Sequence, residues 1–141
     1  MKKINWSRVL LGGLAAGLLM NLLDFSINVL WWGQDWTEAT KARNLDPAAL
    51  QCATATGWII VDFLSGLFVV WLYAAIRPRY GKGVKTALIA GAAMWFITHL
   101  IAASYFFMGF APLSLMIKTG TAEILSALLP AYVGAWLYKE K

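Results

Sequence analysis

Residues 9–31 read VLLGGLAAGLLMNLLDFSINVLW, an apolar stretch long enough to cross a bilayer. About 20 apolar residues in an α-helix, rising 1.5 Å each, span a hydrocarbon core roughly 30 Å thick. Small and polar residues recur along the stretch at spacings of three and four, which places them on one helix face. These residues are Gly13, Gly17, Asn21, Asp24 and Asn28. Small residues let a second helix approach closely, and polar residues need partners that lipid does not supply. The sequence therefore predicts that this face points inwards, towards other membrane helices.

The composition of the chain is typical of a membrane protein. Of its 141 residues, 60% are hydrophobic and only 13% are charged, and the mean hydropathy is +0.64. A soluble domain of this length carries roughly a quarter charged residues. We therefore expect an all-α protein with one integral membrane domain over residues 1–141. The single cysteine, Cys52, excludes an internal disulfide and a CxxC motif.

Four apolar segments are candidates for membrane spans. They cover about residues 9–31, 56–76, 86–107 and 121–137. Because the connections between them are short, neighbouring helices should be antiparallel. The sequence therefore predicts a membrane protein built as an antiparallel bundle of four transmembrane helices.

The connections carry their own signals. Asp46 and Pro47 are typical of a helix start, with Asp as the N-cap and Pro in the first position. Pro78 is predicted to end the same helix, since proline interrupts helical hydrogen bonding. We expect a short surface helix over residues 37–44 and a second external connection over residues 108–119.

The basic residues predict how the spans are oriented, because cytoplasmic loops carry an excess of Lys and Arg. With the N-terminus in the cytoplasm, nine basic residues lie on the inner side: Lys2, Lys3, Arg8, Arg77, Arg79, Lys82, Lys85, Lys139 and Lys141. Three lie on the outer side: Lys41, Arg43 and Lys118. We therefore expect both termini in the cytoplasm. The net charge of +5 reflects this placement at the ends of the spans and does not indicate nucleic-acid binding.

A faint internal repeat relates the two halves of the chain. Trp-Leu-Tyr ends the second and fourth spans, at residues 71–73 and 136–138, and basic residues follow both. Duplication of one helical hairpin explains this pattern. Coincidence explains it equally well, because aromatic residues are common at both membrane interfaces.

Four ionisable residues lie inside the predicted spans: Asp24, Asp62, His99 and Glu123. Counted at 1.5 Å per residue from the ends of the spans, all four fall in the outer half of the bilayer. Each shares a helix face with small or polar residues, and such faces point towards protein. We therefore predict that the four, together with Asn21, converge on one polar pocket.

Three carboxylates without a Lys or Arg in any span leave a charge to be balanced, because burying an uncompensated charge costs several kcal/mol. Three solutions are open. The carboxyl groups are protonated, or they line a water-filled pocket, or they bind a cation. The cation is then a proton carried by His99, a divalent metal or a cationic substrate. Asp, Glu and His suit Mn²⁺, Fe²⁺ or Zn²⁺, but their spacing is not diagnostic and no other cofactor is indicated.

The same residues also have a purely structural interpretation. Asp24 and Asn21 then hydrogen-bond across helices, His99 is a satisfied interhelical histidine, and Glu123 is hydrated near the surface. A further group of small residues is expected to serve helix packing. It consists of Gly13, Gly17, Gly66, Gly91 and Gly134.

Residues 25–49, FSINVLWWGQDWTEATKARNLDPAA, resemble the first external connection of a family of small four-span bacterial membrane proteins. The family is a domain of unknown function. The residues that carry the resemblance are Trp31-Trp32, Gly33 and Trp36. The resemblance implies a four-span fold and a location in the bacterial inner membrane, and it implies no activity.

Two classes of function are open for such a chain. The first in rank is an accessory or scaffold subunit, whose lipid-exposed faces dock on a larger membrane complex or on further copies of itself. The second is a small transporter or binding protein for a cation or cationic compound, which uses the acidic pocket. An enzyme ranks last, because no residues occur at catalytic spacings.

Overall fold

The computed structural model describes residues 4–140, and for residues 47–54 it describes the backbone alone. The chain is all-helical, with 85% of it in helices. In chain order these are α1 (Trp6–Phe25), a π-helical segment that continues it (Ser26–Trp31), α2 (Gly33–Lys41), α3 (Pro47–Tyr80), α4 (Val84–Phe107) and α5 (Leu113–Leu137). The predicted all-α class is confirmed.

Three segments of the described chain are long and apolar enough to cross a membrane. They are Trp6–Trp31, Ala55–Tyr80 and Val84–Phe107. These segments contain the first three predicted spans. The fourth predicted span, residues 121–137, lies within α5, which is 25 residues long but is not among the three. Two charged residues, Lys118 and Glu123, lie in the first half of α5.

The end of α3 differs from the prediction. The helix begins at Pro47 as predicted, but it continues through Pro78 and ends at Tyr80. A proline this close to the end removes a hydrogen bond only from the last turn. The hydroxyl of Thr86, in α4, donates to the carbonyl oxygen of Gly81 at 2.7 Å. This bond ties the end of α3 to the start of α4, so the helix is stable beyond the proline.

Two further boundaries correct the predictions. The connection expected over residues 108–119 is shorter, because α5 already begins at Leu113 after Pro112. Proline suits this position, since the first residues of a helix have no use for their backbone N–H groups. Leu115 is fully buried and anchors the first turn of α5 to the bundle. The predicted surface helix is present as α2, which lies four residues earlier than expected at its start.

Glycine allows α1 to pack closely against α3, its most extensive neighbour. A methyl group built on Gly13 or Gly17 would lie 2.7 Å from the Cα atom of Leu67 or Phe63, respectively. Gly66 of α3 faces the backbone of the same two glycines. The two helices therefore contact each other through their backbones, as small residues permit in membrane proteins.

Helix α5 packs against both α1 and α4. A methyl group built on Gly12 of α1 would lie 2.6 Å from the carbonyl oxygen of Gly134 in α5. A methyl group on Gly91 of α4 would lie 2.8 Å from the carbonyl oxygen of Ala127. By contrast, α3 and α4 pack less extensively against each other, although a short turn connects them.

One end of the bundle, here called the Tyr138 end, brings distant parts of the chain together. The side-chain amide of Asn5 donates to the carbonyl oxygen of Lys139 at 3.1 Å. The rings of Tyr73 and Tyr138 meet edge to face with centroids 6.0 Å apart. The guanidinium of Arg77 lies 5.6 Å from the centroid of the Tyr138 ring. The start of α1, the end of α3 and the end of α5 therefore lie at one end.

The opposite end, here called the α2 end, joins α2 to the α4–α5 connection. Nε of Arg43 donates to the carbonyl oxygen of Gly109 at 2.7 Å, and its guanidinium lies over the ring of Phe110. Nζ of Lys118 lies 3.0 Å from the carboxylate of Asp35. Because Lys118 is at this end and Tyr138 at the other, α5 runs the length of the bundle.

The outward faces of the long helices are apolar. Large exposed side chains include Leu14, Leu18, Trp58, Leu64, Phe96 and Leu100. The buried core consists of smaller residues, among them Ala16, Val69, Ala87 and Ala131. Exposed apolar surface of this extent is typical of contact with lipid or with a protein partner.

Candidate functional site

His99 of α4 and Glu123 of α5 pair across the two helices. Nε2 of His99 lies 2.9 Å from Oε2 of Glu123, and Nδ1 lies 2.9 Å from the carbonyl oxygen of Trp95. Both ring nitrogens therefore face oxygen atoms, whereas a neutral imidazole carries a single N–H. A second proton must therefore lie between Nε2 of His99 and Oε2 of Glu123, bonded either to the nitrogen or to the oxygen.

Trp95 and Gly120 fix the position of the His99 ring. The Trp95 ring stacks on the imidazole with centroids 4.8 Å apart, as expected for residues four apart on a helix. Nε1 of Trp95 donates to the carbonyl oxygen of Gly120 at 2.9 Å. A methyl group built on Gly120 would lie 2.9 Å from Cδ2 of His99. The ring is therefore held between an aromatic face and a helix that has no side chain at this point.

The second oxygen of Glu123 is bound from the first span. Nδ2 of Asn28 donates to Oε1 of Glu123 at 3.0 Å, and Oδ1 of Asn28 accepts from Nε1 of Trp36 at 3.0 Å. Trp36 belongs to α2, and Asn28 lies in the π-helical segment. A hydrogen-bonded chain thus connects α2 through the π-helical segment and α5 to His99 on α4.

The π-helical segment places this amide. Single π-turns inside α-helices are rare and occur often at functional sites. The segment starts directly after Phe25, and Asn28 keeps a hydrogen bond of 3.3 Å to the carbonyl oxygen of Asp24. The side chains at 24 and 28 therefore stay on the inward face, as the spacing predicts.

Asp24 of α1 and Asp62 of α3 lie against each other. Their side chains interact directly, and Asp62 is only 7% exposed. Ser126 of α5 also contacts the side chain of Asp24. Oδ1 of Asp24 is buried and has no hydrogen-bond donor in the described part of the chain. Ionised carboxylates only accept hydrogen bonds, so a proton on either aspartate would supply the missing donor.

The two pairs are electrostatic neighbours. Asp24 lies within range of both Glu123 and His99, and Asp62 lies within range of Glu123. The structure therefore brings together the four ionisable residues that the sequence singles out inside the spans. We call them the acidic cluster. Among the described residues, no Lys or Arg acts on Asp24 or Asp62.

The side-chain amide of Asn21 donates to backbone carbonyl groups and not to residues of the acidic cluster. Its Nδ2 donates to the carbonyl oxygen of Gly17 at 2.9 Å and to that of Ile59 at 3.4 Å. The first bond stays within α1 and the second crosses to α3. Asn21 therefore joins two helices, which is the structural role open to it from the sequence.

Sequence reasoning did not place Asn28, Trp36, Gly120 or Ser126 in the candidate site. The signal for Asn28 was present, because it lies four residues after Asp24 on the same face. Gly120 and Ser126 lie three residues before and after Glu123, on its helix face. The sequence contains no comparable pattern for Trp36, because its contact with Asn28 depends on how α2 packs against the π-helical segment.

The described part of the chain forms cavities but no group of metal ligands. Within the described residues, no three His, Cys, Asp or Glu side chains are arranged to hold a metal ion. A cavity of about 540 Å³ lies at the α2 end. Its lining includes Glu38 of α2, Arg43 just after α2, Phe110 of the α4–α5 connection and Lys118 of α5. A second, of about 260 Å³, lies between α3 and α4.

The fold and the cluster define a helical protein with candidate membrane spans and with carboxyl groups that interact between its helices. Comparison with protein-family models, with curated proteins and with solved structures finds no match.

Proposed function

We propose that the protein is a small transporter or binding protein for a cation or cationic compound, whose charge is held by the acidic cluster. The observation that carries the proposal is the contact of Asp24 with Asp62 beside the His99–Glu123 pair. His99 can balance one carboxylate, and it already pairs with Glu123. Asp24 and Asp62 therefore have each other, and no second cationic side chain, as neighbours among the described residues.

The charge count favours exchange of a proton for another cation. Burying one uncompensated charge costs several kcal/mol. Asp62 is buried and Asp24 is half-buried with its Oδ1 inside the protein, so the two are not both ionised without a cation. A proton on one of them also satisfies Oδ1 of Asp24, which is otherwise without a donor among the described residues. A cation that approaches the pair takes the place of this proton. Each cation that binds to the pair therefore releases a proton from it.

The same proposal includes four membrane spans, with both termini in the cytoplasm of a bacterium and the chain in its inner membrane. Two observations support it. Helix α5, at 25 residues and 1.5 Å per residue, is about 37 Å long, which exceeds the hydrocarbon core. The described basic residues at the Tyr138 end and the adjoining α3–α4 turn are Arg8, Arg77, Arg79, Lys82, Lys85 and Lys139, whereas those at the α2 end are Lys41, Arg43 and Lys118. The excess of positive charge at the Tyr138 end is what the positive-inside rule expects of a cytoplasmic end.

The test is proton release on cation binding. Purified protein in a weakly buffered lipid nanodisc is titrated with tetramethylammonium, and the pH of the medium is followed. We expect a saturable release of protons from the wild-type protein and its loss in Asp62→Asn. Asp35→Asn is the matched control, because Asp35 pairs with Lys118 at the α2 end. Equal release from the wild type and Asp62→Asn would overturn the proposal.

An accessory subunit is the second candidate, and the cavity of about 540 Å³ at the α2 end favours it. Its lining carries both charge signs, including Glu38 and Lys118, so it is suited to a polar segment of a partner. Affinity purification in mild detergent from native membranes tests this candidate. A stoichiometric partner that is lost in Ala39→Trp, which fills the cavity, supports it; recovery of the chain alone contradicts it.

A further inference from the structure

An apolar groove of about 260 Å³ separates α3 from α4. The two helices are joined by the short turn at Gly81 and Gly83, both at positive φ, yet they pack less extensively than α1 with α3, α1 with α5 or α4 with α5. Near the turn, the bond from Thr86 to Gly81 holds them together. The groove lies further from the turn, between residues 61–68 of α3 and 94–98 of α4.

The groove opens towards the membrane. Its walls include Leu64 and Phe68 of α3 and Ile97 of α4, all of them large exposed apolar side chains. Met94, which is 7% exposed, forms its floor. Both walls belong to segments that are long and apolar enough to cross a membrane. An apolar compound dissolved in lipid therefore reaches the groove sideways, without passing through water.

The groove lies beside the acidic cluster. Val61 and Ser65 line it, and Asp62, which interacts with Asp24, lies between them in the sequence. Thr98 also lines it, and His99 follows directly and points to Glu123. Since successive helical residues rise by only 1.5 Å, the groove and the acidic cluster occupy the same level of α3 and α4.

We propose that this groove holds the apolar part of an amphipathic organic cation whose charged group binds at Asp24 and Asp62. This inference rests on the proposed function and names its substrate class. The described lining of the groove holds no carboxyl group, but Asp62 lies one residue from Val61 and three from Ser65 of that lining. This neighbouring carboxyl group favours a positively charged occupant over a neutral acyl chain. Size restricts the occupant too. A volume near 260 Å³ is below that of most drug-sized sites and admits one ring, whereas a partner helix is about 10 Å wide.

Three probes of matched shape test the inference in nanodiscs. Benzyltrimethylammonium has the ring and the charge, tetramethylammonium has the charge alone, and neopentylbenzene has the ring without the charge. Binding of the labelled benzyl compound is measured directly, and the other two compete. We expect the benzyl compound to bind about tenfold more tightly than tetramethylammonium, because its ring is buried in the groove. Neopentylbenzene should not displace it.

Ser65→Leu fills the groove from α3. We expect this substitution to weaken the binding of benzyltrimethylammonium about tenfold, because the added side chain excludes the ring. The binding of tetramethylammonium should be unchanged. Ser104→Leu is the matched control, since Ser104 lies on α4 and is not part of the groove. Ile97→Phe fills the groove from the other wall, so a folding defect of one variant does not decide the result.

The outcomes separate the inference from the function on which it rests. If both cations bind and both need Asp62, but the ring adds no affinity or Ser65→Leu changes nothing, the groove assignment is wrong and the proposed function stands. If neopentylbenzene competes as well as the cation, the groove is a lipid site and the inference is overturned. If Asp62→Asn leaves the binding of both cations intact, the proposed function itself fails.

Discussion

Gly120 sets the distance between α5 and the imidazole ring of His99. A methyl group at this position would lie 2.9 Å from Cδ2 of the ring, well inside the optimal separation of carbon atoms. The ring has little room to retreat, because Trp95 stacks on it. A single added carbon must therefore move the ring, the indole or the helix itself.

We expect Gly120→Ala to lower the free energy of unfolding by about 1–3 kcal/mol, as overpacking does in a filled core. Gly57→Ala is the matched control, because a methyl group there has no atom within 4 Å and alanine favours a helix by about 1 kcal/mol. Thermal unfolding of the two purified variants in one detergent measures the difference. A midpoint for Gly120→Ala at or above that of Gly57→Ala would contradict the packing.

The protonation of His99 is directly observable, because it is the only histidine in the chain. Nδ1 faces the carbonyl oxygen of Trp95, so this nitrogen must carry a proton and donate it. We expect the nitrogen chemical shifts of isotope-labelled histidine to show a protonated Nδ1 and an Nε2 that shares a proton with Glu123. In Glu123→Gln, the amide can donate to Nε2, and we expect the neutral Nδ1–H tautomer. A wild-type spectrum of the neutral Nε2–H tautomer would contradict this geometry.

At the scale of helices, the π-helical segment makes α2 part of the site. Asn28 accepts from Trp36 and donates to Glu123 with the same side-chain amide. No apolar or charged side chain can do both. The orientation of α2 over the bundle is therefore coupled to the carboxyl group that pairs with His99.

We expect Asn28→Ala to loosen α2, because it removes the hydrogen bond that Asn28 accepts from Trp36 and the one that it donates to Glu123, each worth about 1 kcal/mol. Hydrogen–deuterium exchange of residues 33–41 should become faster. Gln34→Ala, at an exposed position of α2, is the control and should leave the exchange nearly unchanged. Equal exchange in both variants would show that Asp35 and Arg43 suffice to hold the helix.

The sequence predicts some of these features well and others poorly. The inward face of the first span follows from spacing alone, because a helix fixes which residues share a side. Asp62, His99 and Glu123 were identifiable because ionisable residues are rare inside spans. The continuation of α3 past Pro78 depends on Thr86, and the role of Gly120 depends on His99 from another helix. Contacts of this kind leave no periodic signal in the chain.

For the molecule as a whole, the separation of its two ends predicts its orientation in the membrane. Residues of the Tyr138 end and of the α3–α4 turn should share one compartment, and α2 should lie in the other. In a Cys52→Ser background, we expect Gln34→Cys to react with a membrane-impermeant maleimide on intact cells. Lys82→Cys and Glu140→Cys should react only after lysis. Reaction of Glu140→Cys on intact cells would contradict a fourth span formed by α5.

The order in which the chain is synthesised gives the contact between Asn28 and Glu123 a further consequence. The two residues are 95 positions apart, so at about 5–20 residues per second the ribosome needs on the order of ten seconds to supply the partner. During this time the first helix has left the ribosome without the glutamate that its amide binds, and without Ser126 beside Asp24. The native arrangement of α1 is therefore completed only after α5 has been synthesised.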